Sequence, residues 1–482
     1  MTRIRRCPKA RHKPGGGRVI LFWLIAVQDA AAQTNVQKAP SAVNLPNAES
    51  RPLDIDFSND PVLALRKHQT NRDDFHALVG ETVRRHPATM EAEALKDVAD
   101  VRVRQERGGL LPSLDLSLSS YRVLSRDFSN DPDNIVERSR ARQRTDASAS
   151  LSQTVLDFGS TTKRIDAAKD RREAANADTE STEERVALGT VTAWYRVFGM
   201  RALVRLGAAF AESQRDLRQG VEQRIKEGAS AEADLARVDS YIADADRQLA
   251  GFRRALADAE ARFRELTGIE APAELERAPV PVVLVATREE AMEAAGGVAD
   301  VRSAQASARA AHGDAGAVKA SKLPNVSAGI DAGRYGVIEN ERDYDVRFRV
   351  TVRQRLFGGT DTRLAEYRAR ARAADARSSR VREEASRDAA IAWADVQALE
   401  TQQGALENAY TASRRSRDVI VERFRVSRGS LLDVLGGQES YFASASAYIQ
   451  GLTELDVARY ILLARTGKLS DELGLEIEGS AQ

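Results

Sequence analysis

The chain has 482 residues, enough for two to four ordinary domains, and a formal net charge of +1 that offers no basic face to a nucleic acid. Its one cysteine, Cys7, excludes a disulfide framework and a Cys-based metal site. His68, His76, His86 and His312 are scattered without metal-ligand spacing, and no phosphate loop or nucleophile–base pairing is legible. These absences argue against an enzyme and predict neither cofactor nor metal.

Arg3, Arg5, Arg6, Lys9, Arg11, Lys13 and Arg18 precede an apolar run from Val19 to Val27, and Ala30-Ala31-Ala32 follows as a small-residue cleavage site. That is the layout of a secretory signal over 1–32, the alternative being a buried or interfacial segment. The run is too short to span a bilayer as a helix. Cleavage would remove seven Lys/Arg, one Asp and Cys7, leaving a thiol-free chain of charge about −5. A lipid anchor needs its cysteine just after the apolar run, so Cys7 predicts none at that position. No later run is long enough for a membrane helix, so any membrane passage must be made by a barrel.

Residues 33–72 are polar and contain Pro, Asn and Ser, which predicts a flexible leader. Residues 73–107 read as a helix, with His86-Pro87 near its start and Gly108-Gly109 as its stop. Four segments then alternate with period two, around Leu114-Leu116-Leu118, Ala147-Ala149-Leu151, Val326-Ala328-Ile330 and Val346-Phe348-Val350-Val352. An apolar face opposite a polar one suits a strand between lipid and a wet lumen, and equally a soluble amphipathic strand.

Each strand pair is followed by a stretch of Ala, Arg, Glu and Asp with almost no proline, over 160–226 and 360–426. A helix of ~65 residues is roughly 100 Å long, more than a compact domain needs. The return segments carry heptads: Leu235, Ile242, Leu249, Leu256 and Phe263 in the first, Val434, Tyr441, Tyr448, Leu455 and Leu462 in the second. Such ladders predict helix-on-helix seams, hence core rather than a cofactor site. Pro272, Pro279 and Pro281 break the chain between the halves, and a shorter helix over 287–321 leads into the second strand pair.

The two halves are copies of one design. Phe158-Gly159, Thr161, Arg164, Trp194, Asp234 and Thr267-Gly268 return about 199 residues later as Phe357-Gly358, Thr360, Arg363, Trp393, Asp433 and Thr466-Gly467. Upstream, Leu111-Pro112-Ser113-Leu114 matches Leu323-Pro324-Asn325-Val326 at about 212. The extra residues of the first half belong in a loop near Ser125–Pro132, where Gly336–Asn340 is the shorter counterpart. The period is far longer than that of a solenoid repeat.

Leu110–Leu114, Gln153–Gly159 and Gln354–Gly359, with the run Phe424-Arg425-Val426-Ser427-Arg428-Gly429-Ser430-Leu431-Leu432-Asp433-Val434-Leu435, resemble motifs of the TolC family of outer-membrane export ducts, over about 75–469. The resemblance implies a mainly α fold with a membrane β-barrel. It implies a homotrimer in which each protomer gives four strands to a shared 12-stranded barrel, continued by an α-helical barrel through the periplasm of a Gram-negative envelope. It implies partners: a periplasmic membrane-fusion adaptor and an inner-membrane transporter, ABC or proton-driven. It further implies a periplasmic gate, in which Asp433 aligns with a ring aspartate and Asp234 with its counterpart in the first hairpin. Gly436 stands where a second ring aspartate is often found, Gly429 where an Arg can lie with Arg428 beside it, and Phe424 replaces a Tyr. The other reading of Asp433 is a solvated or capping residue at a helix start.

Gly228 and Gly429 read as turn residues, and the adaptor surface is expected around Gly228, Ser230, Ser427, Gly429 and Ser430. Arg347, Arg349 and Arg353 are expected to line the lumen, because Arg on the lipid face would cost about 2–4 kcal/mol near mid-bilayer. The expected domains are a signal (1–32), a leader (33–72), a first repeat over 73–272 with β-hairpin 112–158 and helical hairpin 160–268, a linker (273–286), a second repeat over 287–469 with β-hairpin 324–357 and helical hairpin 360–467, and a tail (470–482). The function expected is passive export of protein or small molecules; the rival is a periplasmic coiled-coil adaptor or scaffold without a pore.

Overall fold

The computed structural model describes residues 54–128, 133, 135–282, 285–338 and 343–475, with 48, 49 and 52 besides. The signal segment, the early leader and the last seven residues lie outside the described residues.

Four strands form one antiparallel sheet in the order β1-β2-β3-β4: β1 Ser113–Arg122, β2 Gln143–Leu156, β3 Asn325–Tyr335 and β4 Asp343–Arg353. The two hairpins of the two repeats are therefore joined edge to edge, through β2 and β3. The extra length of the first repeat lies between β1 and β2, residues 123–142 against 336–342 between β3 and β4, and includes a short helix α3, Ile135–Ser139.

Each hairpin runs into a long helix, α4 Ser160–Lys226 or α8 Thr360–Arg425. At about 1.5 Å per residue each spans roughly 100 Å. Gly159 and Gly359, at φ 84° and 80°, occupy the left-handed region at the turn into each helix. α5 Glu232–Thr267 and α9 Leu431–Arg465 return along them. The heptad seams are packing surfaces: Val434, Tyr441, Tyr448, Leu455 and Leu462 are all buried, and in the first hairpin Leu249 and Phe263 are buried while Leu235, Ile242 and Leu256 are half-buried, with Val238, Ala245 and Ala259 buried beside them. The two halves meet in this core, where Phe210 stacks on Phe442 at 4.3 Å.

α5 and α9 cover only the tip-side halves of α4 and α8. The sheet-side halves are covered by α2 Pro87–Gly108 and α7 Ala299–Ala320. α7 lies against α4 through Ser160 Oγ, which donates to Ala317 O at 3.2 Å, and through Ser181 Oγ to Asp300 at 2.5 Å.

The helix expected over 73–107 is instead two, α1 Arg72–Arg85 and α2. His86 is extended (φ −69°, ψ 132°) because the ring of Pro87 excludes the helical conformation for the residue before it. Pro87 then starts α2 at the position proline tolerates, and His86 Nδ1 accepts from Ala88 N at 3.2 Å as a cap. The helix expected over 287–321 is likewise divided into α6 Arg288–Ala294, a 3-10 turn at Ala295–Gly297, and α7, with extended Val298 between.

The late leader also differs from the reading as a flexible segment. Asp60 is 1 % exposed and bonded to the Tyr410 hydroxyl at 2.8 Å and to the Arg414 guanidinium. The linker is held in the same way. Arg277 is buried and paired through two bonds, of 2.6 and 2.7 Å, with the fully buried Asp456 of α9, and its Nη1 donates to Arg66 O. A short helix α10, Leu469–Leu473, packs its leucines into the core beside α1.

Candidate functional site

The sheet presents one apolar and one polar face. Register places Leu114, Leu151, Ile330 and Phe348 directly opposite one another across all four strands, with Leu116, Ala149, Ala332 and Val346 in the neighbouring row. Leu116, Leu118 and Phe348 are 72–75 % exposed, so nothing among the described residues covers this face. At its loop end Arg334 and Tyr344 take over, the polar and aromatic mixture of a membrane interface. The strands, of 10, 14, 11 and 11 residues, have the length of a tilted transmembrane strand, about 9–11.

On the opposite face Asp115, Ser150, Asp331 and Arg347 share a row, with Ser113, Ser152, Gly329 and Arg349 beside it. Arg347, Arg349 and Arg353 all point to this polar side. Arg347 pairs with Asp345, and Arg349 with Asp331 at 3.2 Å. Those two arginines are thus locally neutralised, while Arg353 lies opposite Asn325 at the helix-side end. β1 and β4 are the outer strands, and each leaves one edge of backbone N–H and C=O groups unpaired among the described residues. Among the described residues no helix is long and apolar enough to cross a membrane.

The two hairpin tips repeat each other bond for bond. In the first, Gly228 N donates to Ile225 O and Ala229 N to Arg224 O; in the second, Ser427 N donates to Phe424 O and Arg428 N to Arg423 O. Each pair closes the end of its long helix as a Schellman turn. Gly228 takes φ 73°, but its counterpart in the second tip is Ser427, at φ 59°. Gly429 therefore does not serve the reversal by a positive φ. A Cβ there would sit 3.1 Å from Phe424 N, a tight contact, so glycine suits the close passage of the chain over the end of α8. Ser427 is left holding a conformation that costs an L-residue about 1–2 kcal/mol.

The aspartates sit at the starts of the return helices. Asp433 forms a reciprocal cap with Ser430: Asp433 N donates to Ser430 Oγ at 3.1 Å, and Ser430 N to Asp433 Oδ2 at 3.4 Å. Asp234 makes only the second half of this arrangement, accepting from Ala231 N at 3.3 Å, because Ala231 has no side-chain acceptor to return. Arg237 lies 3.9 Å from Asp234. Asp433 is exposed, Asp234 half-buried, Arg428 exposed and Ser230 half-buried.

The two tips touch through Phe424 and the apolar side chains around it. The Arg224 guanidinium lies 4.4 Å from the Phe424 ring centroid, and its Nη1 donates to Phe424 O at 3.2 Å. Around them Val221, Val238, Leu431 and Leu435 form a small buried cluster. Further along the seam Gln214 Nε2 donates to Gln438 Oε1 at 2.7 Å. Sequence reasoning missed Arg224. The repeat pairs it with Arg423, and nothing local tells the two arginines apart; only the crossing of the hairpins does.

The repeat also breaks symmetry at its tryptophans. Trp194 is buried, and its Nε1 donates to Glu276 O at 2.9 Å. Trp393 Nε1 is buried without an acceptor among the described residues, in a groove shared with Met292 and Ile391, the latter 52 % exposed.

Residues 78–269 match the family model described as outer membrane efflux protein. The chain is 21 % identical over 334 residues to the outer membrane efflux protein BepC of Brucella suis biovar 1 (strain 1330), covering 68 % of this chain and 73 % of that one. Its fold is that of the outer membrane protein VceC from Vibrio cholerae (TM-score 0.72, 18 % identity, 83 % of this chain and 96 % of that one). It is equally similar to the CmeC outer membrane channel of Campylobacter jejuni (TM-score 0.73, 14 % identity, 90 % and 96 %). The family match spans the first repeat, the second repeat rebuilds the same elements, and the sheet and long hairpins are those of the solved channels: the chain is similar to the outer membrane efflux proteins and has the fold of these outer-membrane channels.

Proposed function

We propose that three copies of this chain close one barrel and form a passive tunnel from the periplasm to the exterior. The observation that carries this reading is the sheet with two unpaired edges and an uncovered apolar face. Open edges are not tolerated in hydrocarbon, and four strands are too few to enclose a lumen. Edge pairing of β1 with β4 of the next copy satisfies both constraints, and three copies supply twelve strands. The unpartnered Trp393 Nε1 and the Met292–Ile391 groove fit a helical surface covered by a neighbouring copy.

The tips form the periplasmic gate. Asp433 and Asp234, repeated around an axis, would make a negative constriction that favours cations. Arg224 and Phe424 tie the two hairpins of one protomer together, and Arg428 lies at the outer surface of the second tip. Gly228–Asp234 and Ser427–Asp433 form the surface for a periplasmic adaptor, and an inner-membrane transporter supplies the energy. The chain itself catalyses no reaction. The test is conductance of the purified oligomer in planar lipid bilayers, with its mass measured in parallel. Discrete, small, cation-preferring openings from a trimer support the reading; a folded monomer that never inserts would overturn it.

A further inference from the structure

All four strands enter or leave the helical body at the same end, so the residues flanking Ser113, Leu156, Asn325 and Arg353 form one collar. Within ten residues of those ends the chain carries eight Lys/Arg against four Asp/Glu, a surplus of four in a chain whose total charge is +1. Arg107, Lys163, Lys319, Arg355 and Arg363 are exposed and make no ion pair among the described residues. Interleaved with them are exposed apolar side chains: Leu111 at 67 %, Leu356 at 67 % and Phe357 at 86 %, with Leu323 and Phe158 about half exposed. Large apolar groups at the lower edge of an apolar sheet face, with unpaired cations within the next turn or two of helix, match the boundary between hydrocarbon and headgroups.

We propose that this collar binds the acidic phospholipid headgroups of the periplasm-facing leaflet and sets the depth and tilt of the barrel. The inference rests on the export-duct reading and adds a lipid partner to it. It commits to lipid because the collar continues the apolar sheet face without interruption and its charge is complementary to a phosphate surface. Each cation near an anionic surface is worth roughly fivefold in partition.

The experiment is native mass spectrometry of the detergent-solubilised oligomer titrated with phosphatidylglycerol or phosphatidylcholine, for the wild type and for Lys163→Gln/Lys319→Gln/Arg363→Gln. The expected result is preferential, salt-sensitive binding of phosphatidylglycerol that falls on the order of 100-fold in the triple variant, with circular dichroism and conductance unchanged. Equal binding of the two lipids by the wild type overturns the proposal. So does an acidic-lipid preference that survives in the triple variant, which would place the site at the outer loops and their lipid A phosphates. A change of oligomeric mass without a change of lipid preference would assign the collar to a neighbouring copy and equally overturn it. Failure of the export-duct reading is a separate result: no conductance in any lipid.

Discussion

Arg224→Ala tests the gate most directly, because Arg224 ties α4 to the end of α8 without touching either aspartate. Its guanidinium stacks on Phe424 at 4.4 Å and its Nη1 donates to Phe424 O at 3.2 Å. A cation–π contact is worth about 0.5–1 kcal/mol at an exposed site and ~2 when desolvated. A hydrogen bond from a charged donor contributes about 1.5–3 kcal/mol. Arg224 is half-buried, so the lower ends apply, and their sum is about 2 kcal/mol per protomer. That bias corresponds to roughly 30-fold in the ratio of closed to open tips. In planar bilayers Arg224→Ala should therefore raise open probability at least tenfold if the three tips move independently, and more if they move together. Arg224→Lys keeps the charge but loses the planar stack, so it should fall between. Phe424→Leu keeps the tip cluster packed and the backbone carbonyl that accepts from Arg224, and loses only the ring contact, so it too should fall between. An open probability within about twofold of wild type for a folded Arg224→Ala trimer would refute the latch and leave the contact as packing alone.

Asp433 caps α9, and the proposed gate gives it a second, separable role as a ring charge. Asp433→Asn retains the acceptor that caps α9 but removes the ring charge, so cation preference should fall while thermal stability holds. Asp433→Ala removes both and should in addition lower stability by about 0.3–1 kcal/mol; unchanged ion selectivity in both variants would remove Asp433 from the gate. Asp456→Ala strips a fully buried partner from Arg277 and should destabilise the protein by about 3–5 kcal/mol in denaturant unfolding, with a loss below 1 kcal/mol contradicting the linker's role as an anchor. Glu184, beside Ser470 of α10, has its pKa pushed up to about 7 by burial, Glu180 and Asp300 adding to it. Below pH about 4.5 the group is neutral whether folded or unfolded and has no effect; between 4.5 and 7 the unfolded chain gives up its proton first, so stability falls as pH rises, by roughly 3 kcal/mol above pH 7. Glu184→Gln should flatten that slope in melting temperature against pH, and an identical slope in the variant would assign the dependence elsewhere.

Much of this protein is decided by local pattern. Period-two alternation is a property of backbone geometry, so it marked the four strands before any contact was known, and the heptads marked the seams that Val434, Tyr441, Tyr448, Leu455 and Leu462 fill. Composition alone set the two long helices, because uninterrupted helix formers without proline leave the chain no reason to stop. Tertiary structure decided what local pattern cannot hold. The late leader around Asp60 is held in place because Asp60 finds Tyr410 and Arg414, partners some 350 residues away. The linker is fixed because Arg277 finds Asp456. Arg224 and Arg423 are equivalent in the repeat and differ only because the crossing of two hairpins gives one of them an aromatic ring to lie on. Repeat and period follow from what each residue prefers for itself; the Arg224–Phe424 contact, the buried pairs and the order of the sheet follow from which distant residues the fold brings within a few ångströms.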